Sequence, residues 1–261
     1  MIPTPSMSLE AEACDSVKFT RIPSQFSLKA ICEVLAMFSA PKQQEINQLT
    51  IKLVVGLIAL SLAPLTSFFA KSSITSISAS YYEGGWSQSI FIGFLFAIAA
   101  FLLAYNGYSR TDMALSKLAS VAALGVAMFP CECANDSELV PPVHGISAVT
   151  VHGISATTMF LILVYFCYSF YRRARSKGRT QANKQANRRA WVYVVCGILI
   201  VVSILTLAFD HFSKGILSSK VPKLIFYGEL IGLVAFGVSW LTASRVLPGL
   251  TRQDERFSPF K

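Results

Sequence analysis

The hydrophobic positions of this chain gather into long apolar runs set apart by short polar stretches. Crossing the roughly 30 Å hydrocarbon core of a bilayer takes about 20 residues of helix, so runs of that length are the ones to count. Six can be drawn, at 51–70, 89–108, 113–130, 152–171, 191–210 and 223–245, the last closed by Trp240 and Arg245 at positions suited to interfacial anchoring. Helix is the form they must take, because in hydrocarbon each segment has to satisfy its own backbone N–H and C=O groups. The pattern predicts an all-α integral membrane protein, a six-transmembrane-helix bundle over residues 47–246, with an extension at 1–46 and a tail at 247–261. The third run is the weakest: it is short, rich in small residues, carries Lys117 and stops at Pro130. Lys117 lies one turn inside it and is long enough to snorkel to the interface.

Charge decides which way round the bundle sits. The segment 172–189 holds eight basic residues and no acidic one, and short loops rich in Lys and Arg stay on the cytoplasmic side. Arg110, Arg245, Arg252 and Arg256 then fall on that side too. The opposite side sets Lys71, Lys214, Lys220 and Lys223 against Glu83, Glu132, Asp136, Glu138 and Asp210 and is close to neutral. Both termini are therefore expected inside, in a cytoplasmic (inner) membrane. Composition agrees, with 53% hydrophobic and only 14% charged residues among 261. The net charge of +9 is accounted for by this topology and by attraction to anionic headgroups. Membrane lipids are thus the expected partners and nucleic acid is not needed, while a homo-oligomer or a membrane partner protein is compatible with the pattern.

Residues 1–46 lack the basic start, apolar stretch and cleavage site of a secretory signal and read as a cytoplasmic extension. Within it, the apolar spacing at 26–40 suits a short interfacial helix. The six cysteines show no zinc-type spacing. Only Cys131 and Cys133 are close together; they fall on the outer side, where oxidation is open to them, although a disulfide across one residue is strained. A tandem repeat, VHGISAVT at 143–150 and VHGISATT at 151–158, is too short for a solenoid. One copy is expected to start the fourth span and the other to extend the loop before it.

With this orientation, polar residues from several spans collect at the outer end: Ser76, Ser78, Tyr81, Tyr82 and Glu83 after the first span, His144 and His152 before the fourth, Asp210 and His211 closing the fifth, and Glu229 inside the sixth. A carboxylate within a span is costly, so Glu229 needs a partner or a proton. The cluster either packs the bundle through interhelical hydrogen bonds or forms a small pocket for a cation, a water or a lipid headgroup. In the second case Glu229 and Asp210 are the candidate catalytic groups, and His144, His152, His211 and Asp210 the candidate metal ligands. Nucleophile-elbow, zinc-protease, phosphate-loop and dinucleotide-binding motifs are all missing from the sequence. Gly228, Gly232 and Gly237 in the sixth span suit close helix packing.

The stretch SISASYYEGGWSQSIFIGFLFAIAAFLLAYNGYSR, then GVAMFP, then a histidine opening the next helix, resembles a group of uncharacterised bacterial six-span proteins similar in layout to DRAM-like membrane proteins. The resemblance covers about residues 47–246 and implies the six-helix bundle but little about activity. The chain departs from it at Ala79, where an aspartate is often found. In residue types it is also similar to the CREST membrane hydrolases, but it lacks their His-x-x-x-His and one span. Two function classes follow: a non-enzymatic, lipid-associated, sensory or transport-related membrane protein, and as the alternative a metal-dependent lipid hydrolase of CREST-like type. The cofactor is undetermined, and zinc enters only under the alternative.

Overall fold

The structure, a computed structural model, describes residues 47–131 and 147–258. The extension with its expected interfacial helix, His144 and Cys133 lie outside these residues. Among the described residues there is no strand, and six helices are long and apolar enough to cross a membrane. They are α1 (Gln48–Phe69), α2 (Gly85–Ala104), α3 (Arg110–Met128), α4 (Ala148–Thr180), α5 (Lys184–Phe212) and α6 (Leu224–Ala243). A helical turn, Ser80–Glu83, precedes α2, and a 3₁₀ turn, Gln253–Glu255, lies in the tail.

Local chemistry starts most of these helices where they start. Side-chain oxygens of Asn47, Ser109, Ser147 and Asn183 accept the otherwise orphaned N–H groups of Leu49, Asp112, Thr150 and Ala186 at 2.9–3.2 Å. Ser147 belongs to the first copy of the octapeptide repeat, whereas its counterpart Ser155 lies inside α4 against Gly125 of α3. The same sequence thus begins the helix once and packs it once. The expected basic loop at 172–189 is instead mostly helix: α4 runs on to Thr180 and α5 begins at Lys184. Arg, Lys and Ala are good helix formers in water, so the helices continue past the apolar runs. At 33 residues and 1.5 Å per residue, α4 is about 50 Å long, more than a bilayer core requires.

Each helix packs on its neighbours in the chain, and α6 closes the ring on α1. The closure is a backbone contact. A Cβ on Gly56 would meet Leu241 N at 2.9 Å and Gly237 O at 3.0 Å, and one on Gly237 would meet Leu60 Cγ at 2.6 Å. Small residues let helices approach this closely in a membrane, where no hydrophobic force drives them together. Between α2 and α3, Ser116 and Ser120 donate to the carbonyls of Leu102 and Ala99 at 2.6 and 2.7 Å. The weakest run is therefore a full helix, fixed by small side chains. Lys117 bends its ammonium toward the C-terminal carbonyls of α2, bonding Leu103 O, and Asn106 Oδ1 at 3.2 Å. Its charge offsets unpaired carbonyls there.

Trp240 is no interfacial anchor: it is 0% exposed, with ring centroids of Tyr105, Phe166, Phe170 and Phe236 at 5.2–6.0 Å. These rings fill the ring of helices near the end that carries Arg173, Arg189 and Arg245, the basic end of the bundle.

Candidate functional site

At the end opposite the basic one, three carboxylates do similar local work. Glu229 of α6 accepts from Ser76 Oγ (2.9 Å), Ile77 N (2.5 Å), Ser78 N (3.3 Å) and Ser78 Oγ (2.7 Å). It thereby holds the α1–α2 connection, whose Thr75 carbonyl in turn accepts the Phe226 N–H of the α6 first turn at 3.1 Å. Asp210 Oδ1 accepts the Leu217 and Ser218 N–H groups, both at 2.9 Å, and so closes the turn after α5. Glu83 accepts Lys71 N, Ser72 N and Ser72 Oγ. Of the expected outer cluster, the structure joins Ser76 and Ser78 to Glu229 and leaves Asp210 and Glu83 each bonded within a loop of its own.

The remaining members have separate contacts. His152 is buried and its Nδ1 pairs with the Phe129 carbonyl at 2.8 Å. His211 is exposed and its ring meets the edge of Phe212. Tyr82 donates to Cys131 O at 2.9 Å, and Tyr81 reaches Met128 O at 3.5 Å. Cys131 is disulfide-bonded, with its partner outside the described residues. No group of three His, Cys, Asp or Glu side chains suited to a metal ion occurs among the described residues, so His152, His211 and Asp210 do not converge as a ligand set. His144 lies outside them.

The Ser72 hydroxyl, joined by the Lys71 and Ser72 N–H groups and the Lys71 charge, holds the Glu83 carboxyl below its ordinary value of 4.5, outweighing slight burial. A depressed carboxyl contributes stability above its unfolded pKa and loses it as pH falls through the folded one. Glu83→Gln is therefore expected to lower the melting temperature near neutral pH, with the deficit vanishing well below pH about 4. Thermal unfolding of both proteins across that range checks it, and a deficit independent of pH would refute it.

The basic end carries a different arrangement, one that the polar pattern of the loops did not mark. A cavity of about 240 Å³ there is lined by five cations, Lys52 of α1, Arg173 and Lys177 of α4, Arg189 of α5 and Arg245 after α6, together with Tyr108 and Tyr193. Three of the cations are compensated. Arg173 Nη2 lies 2.7 Å from Asp112 Oδ2, and Lys177 and Arg189 lie 2.6 and 3.4 Å from Glu255. Asp112 is itself held by Tyr108 N (3.1 Å), Tyr165 OH (3.0 Å) and Ser169 Oγ (3.2 Å).

Lys52 and Arg245 have no carboxylate partner among the described residues. Although it stands at the start of its span, Lys52 is 1% exposed. Its ammonium donates to Tyr108 OH at 3.1 Å and lies 4.6–5.4 Å from the ring centroids of Tyr105, Tyr108 and Phe170. Aromatic faces attract a cation but do not neutralise it. Arg245 occupies a left-handed backbone position (φ 61°), where glycine is the ordinary choice at a helix end, and its carbonyl is tied to Phe257 N–H at 3.2 Å. Arg173 stacks its guanidinium 3.8 Å from the Tyr108 ring centroid. Burial alone would raise the Tyr108 phenol, but the Lys52 ammonium at its hydroxyl, with Arg245 and Arg173 beyond, holds it below its ordinary value. The site therefore has a positive field and room for an anion.

The signal for this site was present but weak. Lys52 stands one residue inside an apolar run, and Asp112 follows the Ser109 cap, yet what brings them together is the closing of the helix ring. No family model matches the chain, and neither curated proteins nor solved structures offer a match.

Proposed function

We propose that this protein is a non-enzymatic multi-pass membrane protein, set with its basic end in the cytoplasm, that binds an anionic ligand in the cavity at that end. The observation that carries the reading is Lys52, a buried ammonium served by one phenol and three aromatic faces and by no carboxylate among the described residues. A buried charge without a counter-charge costs several kcal/mol. An anion in the cavity removes that cost, and Arg245, which forms no ion pair among the described residues, supplies a second cation for it. The orientation rests on the eight basic residues at 172–189, of which Arg173, Lys177 and Arg189 line the cavity. The hydrolase reading has less support, since the acids at the opposite end are bonded to backbone N–H groups and the histidines among the described residues do not meet them in a ligand set.

Inorganic phosphate titrated into the detergent-purified protein is expected to raise its melting temperature. Arg245→Gly should weaken that response by about tenfold in phosphate concentration, as loss of a charge-assisted hydrogen bond of about 1.5 kcal/mol implies. Glycine is the residue that the backbone at 245 favours, so the variant keeps the fold while losing the cation. No response in the wild type, or equal responses in the two proteins, would contradict the reading.

A further inference from the structure

Beside the cavity, on the outer face of the α4–α5 seam, lies an apolar groove of about 440 Å³. Its walls include Cys167, Tyr168 and Tyr171 of α4 and Gly197, Ile198 and Val202 of α5. Tyr193 lines both the groove and the cavity, so the two are adjacent. We infer that the anion held in the cavity is the phosphate headgroup of a membrane phospholipid, with an acyl chain lying in the groove between α4 and α5. The inference rests on the reading of the cavity as an anion site and adds the identity of what brings the anion there.

Three observations select a lipid over a free phosphate. The groove faces away from the helix ring: Tyr168, Ile198 and Val202 are 53%, 56% and 54% exposed, and in a bilayer such a surface meets hydrocarbon. Its length fits a chain and its end fits a headgroup. From Val202 to Tyr193 the helix rises about 14 Å, and one further turn reaches Arg189, the level at which the cations line the cavity. The charge also matches: Arg172 holds its guanidinium 5.7 Å from the ring centroid of Tyr168, which lines the groove, and the cavity's five cations face only two carboxylates, Asp112 and Glu255. Basic pockets between membrane helices at the cytoplasmic surface suit anionic headgroups. A soluble anion would use the cavity and leave the groove without a role.

Gly197 makes the inference testable apart from the cavity. A Cβ there would meet only Cys167 Cβ at 3.4 Å, an ordinary contact, so Gly197→Leu fills the groove without displacing backbone. Delipidated protein is titrated with phosphatidylglycerol and with phosphatidylcholine of the same acyl chains, and bound lipid is counted by native mass spectrometry. Phosphatidylglycerol is expected to bind about tenfold more tightly than phosphatidylcholine. Gly197→Leu should reduce phosphatidylglycerol binding by about tenfold while leaving the melting temperature and the response to inorganic phosphate intact, and Arg245→Gly should reduce both responses. Equal binding of the two lipids, or unchanged phosphatidylglycerol binding in Gly197→Leu with phosphate binding intact, overturns the lipid and leaves the anion site standing. Absence of any response to phosphate and to phosphatidylglycerol overturns both.

Discussion

Asp112→Ala is expected to destabilise the bundle by about 2–3 kcal/mol. The Asp112 carboxylate is 2% exposed and gathers donors from three places: the Tyr108 N–H before α3, Tyr165 and Ser169 on α4, and the Arg173 guanidinium. Removing it strands three neutral donors and a cation at once. Breaking a wholly buried pair costs about 3–5 kcal/mol, but the Arg173 side chain is 36% exposed, and water screens part of the loss. Asn is expected to do almost as badly, because its amide would turn an N–H₂ toward groups that themselves donate. Adding Arg173→Met to Asp112→Ala should recover part of the stability, since the unpaired cation goes with it. Thermal unfolding of the single and double variants decides this; a single variant as stable as the wild type would refute the role given to Asp112.

Gly56→Leu is expected to prevent the ring from closing, at a cost of about 3 kcal/mol or more. The atoms in the way are Leu241 N and Gly237 O, which are backbone and have no rotamer to turn to. Without that contact α1 and α6 must part along their length. The control is Gly93→Ala on α2, where a Cβ meets nothing within 4 Å and helix propensity favours alanine. Size-exclusion profile and melting temperature in detergent should separate the two: loss of the monodisperse peak for Gly56→Leu and no change for Gly93→Ala. Retention of wild-type behaviour in Gly56→Leu would show that α1 and α6 do not meet as described.

The six helices were legible because an apolar run of membrane length has few other uses, and even the short third run is held by serines and alanines that the sequence displays. Helix ends were less legible. Hydrophobicity stops at the interface, whereas α4 continues for nine residues past 171 on the helix propensity of Arg, Lys and Ala. At the opposite end the pairing of Glu229 with the Ser76 and Ser78 hydroxyls was legible as a polar cluster, but the backbone N–H groups of loops that complete Glu229 and Glu83 and hold Asp210 are announced by no residue type. Lys52 was hidden for a related reason. At the start of a span a lysine reads as an interfacial one, and the rings around it come from positions 105, 108 and 170, brought close only when α1, the α2–α3 connection and α4 come together. Trp240 misled in the same way, its place in the aromatic core being a property of the ring of helices and not of its neighbours in the chain.

With ligand binding proposed at the basic end and a structural role at the opposite one, the direct comparison is phosphatidylglycerol binding, by native mass spectrometry, to Lys52→Met beside Glu229→Gln. Loss of about tenfold or more in Lys52→Met with wild-type binding in Glu229→Gln is the predicted result. Wild-type binding in Lys52→Met, with loss in Glu229→Gln, would move the functional site to the other end of the bundle and contradict the account.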